Sequence, residues 1–286
     1  MDLKPATTFN QQLELLRDKN IIITDEASCI DFLSKVNYYR LSGYYLPYID
    51  RATGSCFQRT YFARIVQIYR FDTALRNLVF SAIERIEIYL RAQFANYHAL
   101  KYGPEGYLDP NNYNEKHDNV SFQEYIEKCK KENEKTLIVV HHNNKYDGHF
   151  PLWVIIEFFS MGTLSYFYRG MKNNDKAKLA NKLYGTNYQT IDSWLRCITD
   201  LRNYCAHYAR IYYVKFPAIP RMPTGESYKP SRRIFAQLYL LKLMYPDKAN
   251  WDKEFLTPLK VIMSEYSKSI SLNHIDFPDN WESLLK

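Results

Sequence analysis

Glycine is scarce in this sequence, with 9 among 286 residues, and no two of its five cysteines are spaced C-x-x-C. Little glycine and 46% hydrophobic residues argue against disorder and for a sizeable core, in one large domain or two lobes. The cysteines, Cys29, Cys56, Cys129, Cys197 and Cys205, are odd in number, which disfavours a disulfide framework and fits free thiols in a reducing, cytoplasmic compartment. The opening MDLKPATTF has no apolar run, so no signal peptide is expected. The best membrane candidate, PLWVIIEFFSMGTLSYFY, is short and interrupted by Glu157, Gly162 and Thr163, so no membrane span is expected either. Also missing are G-x-x-x-x-G-K, H-E-x-x-H and G-x-S-x-G, which removes the P-loop, zincin and serine-hydrolase classes. No strand-like alternation of any length occurs and no internal repeat, so the expected fold class is all-α.

What the chain does have is aromatic area and a modest positive charge. There are 26 Tyr and 16 Phe, and 38 Lys+Arg against 31 Asp+Glu give a formal charge of +7. With a pI near 8.9 this favours a polyanionic partner without requiring one. Tyrosine joins stacking area to a polar tip, which suits a core and equally suits nucleobases. Both readings apply to NYYRLSGYYLPY, five tyrosines in twelve residues around Arg40 and Gly43: a packed aromatic junction, or a base-stacking surface.

Three segments are expected. Residues 1–60 read as an N-terminal lobe of two short helices and a loop. Phe9, Leu13 and Leu16 recur at helical spacing, and Thr24 stands as an N-cap before DEASCIDFLSKV. Residues 61–215 read as a helical core. Its first element is a long helix from Tyr61 to about Leu100, with Leu75, Leu78, Val79, Ala82, Ile86 and Tyr89 on one face and Glu84, Glu87, Arg91 and His98 on the other. A looped insertion with one exposed helix is expected at about 101–150. Its His141, His142 and His149 suggest a metal, yet no cysteine or clustered carboxylate completes a ligand set, and a flexible polar loop explains them as well. No metal or other cofactor is therefore expected. Pro151 is placed to open an apolar helix ending near Gly162, and a further helix to run from about Thr190 to Val214. Residues 216–286 read as a proline-broken connection followed by a C-terminal helical region.

The helix ending in LRNYCAH draws the most notice. Trp194, Ile198, Leu201, Cys205 and Tyr208 form its apolar stripe, leaving Arg196, Asp200, Asn203, His207 and Arg210 in one row on the opposite side, bordered by Arg202. A solvated face would explain charges one turn apart. This row, however, contains no Lys or Glu; its members have fixed hydrogen-bond geometry and, in His, a pKa near neutrality. Imidazole and guanidinium together suit RNA, whose 2′-OH is an internal nucleophile beside the scissile phosphate. His can exchange that proton at cellular pH, and an Arg fork matches the charge of a pentacoordinate phosphate.

RNYCAH resembles the R-x4-6-H signature of HEPN-domain ribonucleases, in which a polar residue commonly follows the Arg. KPATTFNQQLELL, VNYYRLSGYYLPY, IYRFDTALRNLVFSAIERIEIYLRA, PLWVIIEFFSMGTLS and LRNYCAHYARIYY occur in the order expected of the Abi-like family, the AbiD/AbiF abortive-infection proteins, over about residues 4–215. The resemblance implies a HEPN-like helical bundle acting in bacterial antiphage defence as a metal-independent endoribonuclease. Arg202 and His207 would be its catalytic pair and Asn203 the companion that orients His207. Glu87 and Arg91 match the acidic and basic positions of the preceding helix, with Asp200 and Arg210 in support. It also implies a homodimer in which two motif helices form one cleft, and RNA as partner, as substrate and as a cognate structured noncoding RNA. Arg91 and His98 fit the same R-x4-6-H spacing, but Ala92 follows the Arg, and Arg91 pairs more simply with Glu87. Two other readings stay open: a non-catalytic RNA-binding or partner-sensing module, and a purely structural polar row at a dimer interface.

Overall fold

The computed structural model describes residue 3, residues 5–57 and residues 59–286. Among these are thirteen α-helices and one two-stranded parallel pairing, an all-α bundle. The N-terminal segment holds α1 (Phe9–Arg17), α2 (Glu26–Lys35) and α3 (Tyr38–Tyr45), so a third helix stands where a loop was expected. Thr8 and Gln11 make a reciprocal capping box on α1. The cap of α2 is Asp25, not Thr24: its carboxylate accepts from Ser28 N–H, one position later than the sequence suggested. Between α1 and α2, β1 (Ile21–Ile22) pairs in parallel with β2 (Thr60–Tyr61), fastening the segment to the start of the next helix.

That helix, α4 (Phe62–Tyr102), is 41 residues long and so extends about 60 Å. Its inward row of Leu75, Val79, Ala82, Ile86 and Leu90 is buried, with Leu78 and Tyr89 at the margin. Around it pack α3, α7 (Leu152–Ile155), α8 (Met161–Gly170), α10 (Tyr188–Ala206), α11 (Ile234–Met244) and α12 (Thr257–Glu265). One continuous hydrophobic core runs through all three segments of the chain.

The insertion is more ordered than its composition suggested. It carries two helices, α5 (Asn119–Glu132) and α6 (Leu137–Lys145), which bury Phe122, Ile126, Cys129 and Val139. The apolar stretch after Pro151 is not one helix ending at Gly162. It breaks at extended Phe159, and Ser160 caps a new helix, α8, that contains Gly162 in its first turn. α9 (Asn173–Tyr184) and, at the C-terminus, α13 (Trp281–Leu285) complete the bundle. All five cysteines are free and buried, and among the described residues no helix is long and apolar enough to cross a membrane.

Candidate functional site

Helix α10 is opened by Asn187, whose side chain accepts from Thr190 N–H at 2.9 Å. Ile191, Trp194, Leu195, Ile198, Leu201 and Cys205 are buried, each large one contributing about 1.5–3 kcal/mol of transfer free energy. The helix stops at Ala206, eight residues before the expected Val214. The stop is a Schellman motif: Tyr208 N–H donates to Cys205 O at 3.1 Å and Ala209 N–H to Tyr204 O at 2.8 Å. Tyr208, with φ 55°, occupies the left-handed position where glycine is usual. No glycine marked the end in the sequence, so the helix was read through it. Two consequences are corrections: Tyr208 is 69% exposed and outside the buried stripe, and Arg210 is off the helix and outside the polar row.

The chain beyond the stop is held by charged groups reaching inward. Asp72, fully buried on α4, accepts from the backbone N–H of Ile211 at 2.9 Å and of Tyr212 at 2.6 Å, from Tyr44 Oη at 2.8 Å and from Arg76 Nη1 at 2.6 Å. Burial pushes this carboxyl's pKa up, while Arg76 and the two amides pull it down. Arg40 of α3 donates to Tyr208 O, and Arg210 donates to Gly43 O. Within the tyrosine-rich stretch Tyr44 is buried in this clamp and Tyr45 is buried beside Tyr38, whereas Tyr39 is exposed. Sequence reasoning missed the clamp, although Asp72 and Arg76, one turn apart on the apolar side of α4, were its signal.

Arg202 and His207 stand outside that network. His207 is the C-cap residue, exposed, and its ring makes no hydrogen bond among the described residues. Asn203 is exposed too. It does not hold the His207 ring as expected; the link between them is the backbone bond from His207 N–H to Asn203 O, 3.0 Å. Arg202 is half-buried with Nε shielded from solvent 4.0 Å from Glu87 Oε2, the one ion-pair contact it makes among the described residues. Its guanidinium lines an open cavity of about 260 Å³ together with Glu84, Glu87, Arg91 and the apolar Phe80 and Ile88.

Glu87 and Arg91 do pair across one turn, at 2.6 Å. Arg91 reaches further, to Phe159 O at 2.7 Å and Glu157 at 3.4 Å, and so pins α4 to the break before α8. The structure thus brings Glu87, Arg91 and Arg202 together. It separates Asp200, which with Arg196 lines a different cavity against α8.

The second R-x4-6-H pair does not assemble. His98 is not on a polar face: it is completely buried among Tyr102, Tyr113 and Phe167, with ring centroids 4.9 to 5.7 Å away. Both ring nitrogens lack partners, and burial pushes the pKa down to about 4. The insertion histidines are otherwise engaged: His142 Nδ1 lies 3.0 Å from His149 O, and His149 Nδ1 lies 2.9 Å from Glu105. Among the described residues no three His, Cys, Asp or Glu side chains are grouped to hold a metal.

No curated protein and no solved structure matches the chain. The family described as Abi-like protein matches residues 31–213, from α2 through the clamped segment after α10 and more than half of the chain. Its span takes in α4, the α10 stop and every one of the residues Glu87, Arg91, Arg202, Asn203 and His207, and on that match the chain belongs to the Abi-like protein family.

Proposed function

We propose that this Abi-like protein serves abortive-infection defence as a metal-independent endoribonuclease, with Arg202 and His207 as its reacting groups. The observation that carries the reading is a contrast in commitment. Asp72, Arg76, Arg91 and Arg210 are spent on holding the fold, whereas Arg202 and His207, in the last turn and at the C-cap of α10, donate no side-chain hydrogen bond among the described residues. Five residues of helix separate them by about 7.5 Å along the axis and about 140° around it, so the long Arg202 side chain has to reach round the helix for the guanidinium and the imidazole to meet one phosphodiester.

In the proposed reaction neutral His207 takes the proton of a ribose 2′-OH. The 2′-oxygen attacks phosphorus, the 5′-oxygen leaves, and a 2′,3′-cyclic phosphate remains on the upstream fragment. Arg202 donates to the non-bridging oxygens as their charge grows. The leaving oxygen needs a proton from a second acid, which a homodimer supplies as the same histidine from the other copy. Asn203, with its amide unengaged, is positioned to touch the strand. Glu87, neutralised by Arg91, keeps Arg202 aimed into the cavity without repelling phosphate. A cognate structured RNA would be held, as substrate or as regulator, by contacts beyond this pair.

The test uses purified wild type, His207→Ala and Arg202→Ala on end-labelled structured RNA and matching DNA in EDTA, with product ends analysed. Cleavage of RNA alone, a cyclic phosphate and a loss of about 10²–10⁴-fold in His207→Ala are expected. Cleavage that needs an added metal ion, or equal cutting of DNA, overturns the reading. Binding of RNA by all three proteins with no cleavage by any makes the chain a binding module instead.

A further inference from the structure

Helices α8 and α10 enclose a second, larger depression away from Glu87 and Arg202. A cavity of about 660 Å³ lies between Ser165 and Arg169 on α8, Asp192, Arg196 and Asp200 on α10, and the chain at Pro217 to Ile219. A neighbouring cavity of about 570 Å³ shares Arg169 and Asp192 and continues past Lys116 to Tyr188. The two form one trough along the face of α10 that leads toward its C-terminal end.

Its charges are distributed in an unusual way. Arg169 and Arg196 are exposed, and among the described residues neither meets a carboxylate at ion-pair distance nor donates a side-chain hydrogen bond; Lys116 is equally free. The carboxylates lie deeper. Asp192 has one oxygen 3.5 Å from Lys176 Nζ, while its Oδ1 is shielded from solvent and has no partner. Burial raises the pKa of both Asp192 and Asp200 against the pull of the nearby cations. The trough therefore offers unclaimed cations at its mouth and unclaimed acceptors in its interior. Pro217, Ala218 and Ile219 add an apolar wall, with Ile219 48% exposed.

A ligand that satisfies all three needs carries an anion, amino or imino donors a few ångströms from it, and a flat apolar face. We propose that this trough binds a nucleotide unit, its phosphate on Arg169 and Arg196, its base against the Pro217–Ile219 wall with the amino edge toward Asp192 and Asp200. Guanidinium forks suit phosphate oxygens, and carboxylates accept from exocyclic amino groups. The unit can arrive within a single RNA strand or as a free nucleotide. The site is distinct from Arg202 and His207 and does not depend on their cutting RNA.

The experiment is done on full-length His207→Ala protein, so that binding is read without cleavage, with and without the further pair Arg169→Gln and Arg196→Gln. Both cations are exposed, so the melting temperature should hold and serves as the folding control. A fluorescent single-stranded oligoribonucleotide is titrated over a salt series, and AMP, CMP and GMP are titrated by calorimetry. Loss of the two cations should weaken strand binding about tenfold or more and flatten the salt slope by about 0.7, one single-strand phosphate contact. Asp200→Asn, which exchanges an acceptor for a donor, should reorder preference among the three nucleotides. A cation-dependent loss with RNA alone identifies a strand; the same loss with mononucleotides identifies a free nucleotide. Unchanged affinity and salt slope in the doubly substituted protein, or no binding of either ligand before substitution, overturns the proposal. Binding through the trough by a wild-type chain that never cuts would refute only the ribonuclease reading.

Discussion

The chain contains the R-x4-6-H spacing twice, and the two copies meet opposite fates. Arg91 and His98 lie in the last third of α4, which continues for one more turn to Tyr102 and is packed on several sides. Their arginine is consumed by Glu87, Glu157 and a backbone carbonyl, and their histidine is sealed among aromatic rings. Arg202 and His207 lie where a helix stops, and there the histidine is exposed and the arginine faces a cavity. The same residue types at nearly the same spacing yield a rivet in one place and a candidate reacting pair in the other. What separates them is whether the helix continues. A histidine inside a surrounded helix has neighbours on every side, whereas one at a C-cap is turned out by the reversal of the chain.

The largest test of this difference exchanges the histidines one at a time. His207→Ala should abolish RNA cleavage, by about 10²–10⁴-fold, with its melting temperature close to wild type because the side chain is exposed and unbonded. His98→Phe should leave cleavage intact, since both ring nitrogens it removes lack partners and the cage around them is aromatic. The reverse pattern in the cleavage assay would move the active site to α4.

A smaller effect comes from acid. Above pH 6.5 His98 is neutral in both the folded and unfolded states. As pH falls from 6.5 toward 4, the unfolded chain takes up a proton that the folded one refuses, so stability is lost across that window. For this one ring the loss approaches about 3 kcal/mol at pH 4. Urea titrations at pH 7.5 and 4.5 should show a steeper decline for wild type than for His98→Phe. Equal declines in the two proteins would show that the His98 ring is not sealed off.

The smallest effect concerns the stop itself. Tyr208 holds a left-handed conformation that costs a non-glycine residue about 1 kcal/mol or more. Its ring is mostly exposed, so Tyr208→Gly should raise stability by about 1 kcal/mol and keep the helix end where it is. A fall in denaturant midpoint would mean that the Tyr208 ring, not the backbone, fixes the stop.

These contrasts also show which parts of the protein could be read from residues alone. Long periodic stretches were readable: α4 begins and ends within two residues of expectation, because forty residues of 3.6-fold apolar spacing leave little choice. The Glu87–Arg91 pair followed from spacing one turn apart. His98 was misplaced because a polar residue on a helical wheel is assigned to the polar side, while here the insertion folds over that side and covers it. The α10 stop was invisible because Tyr208, not glycine, takes its left-handed position, and the chain from there on is held by Arg40 and Asp72, far away in sequence. The same holds for the trough, whose walls come from α8, α10 and a proline-rich connection with no shared motif.

The length of α4 bears on how such a chain can vary. Adding one residue between Leu75 and Glu87 would rotate everything beyond it by about 100° and advance it by about 1.5 Å. Asp72 would still clasp the segment after α10, but Glu87 would swing away from Arg202 and Arg91 away from Phe159. An extra residue between Pro217 and Pro230, where the backbone is irregular, would be absorbed locally. Insertions and deletions accumulating over time should therefore be rare along α4 and frequent in its connections, with the helix setting a fixed ruler between its clamp and its ion pair.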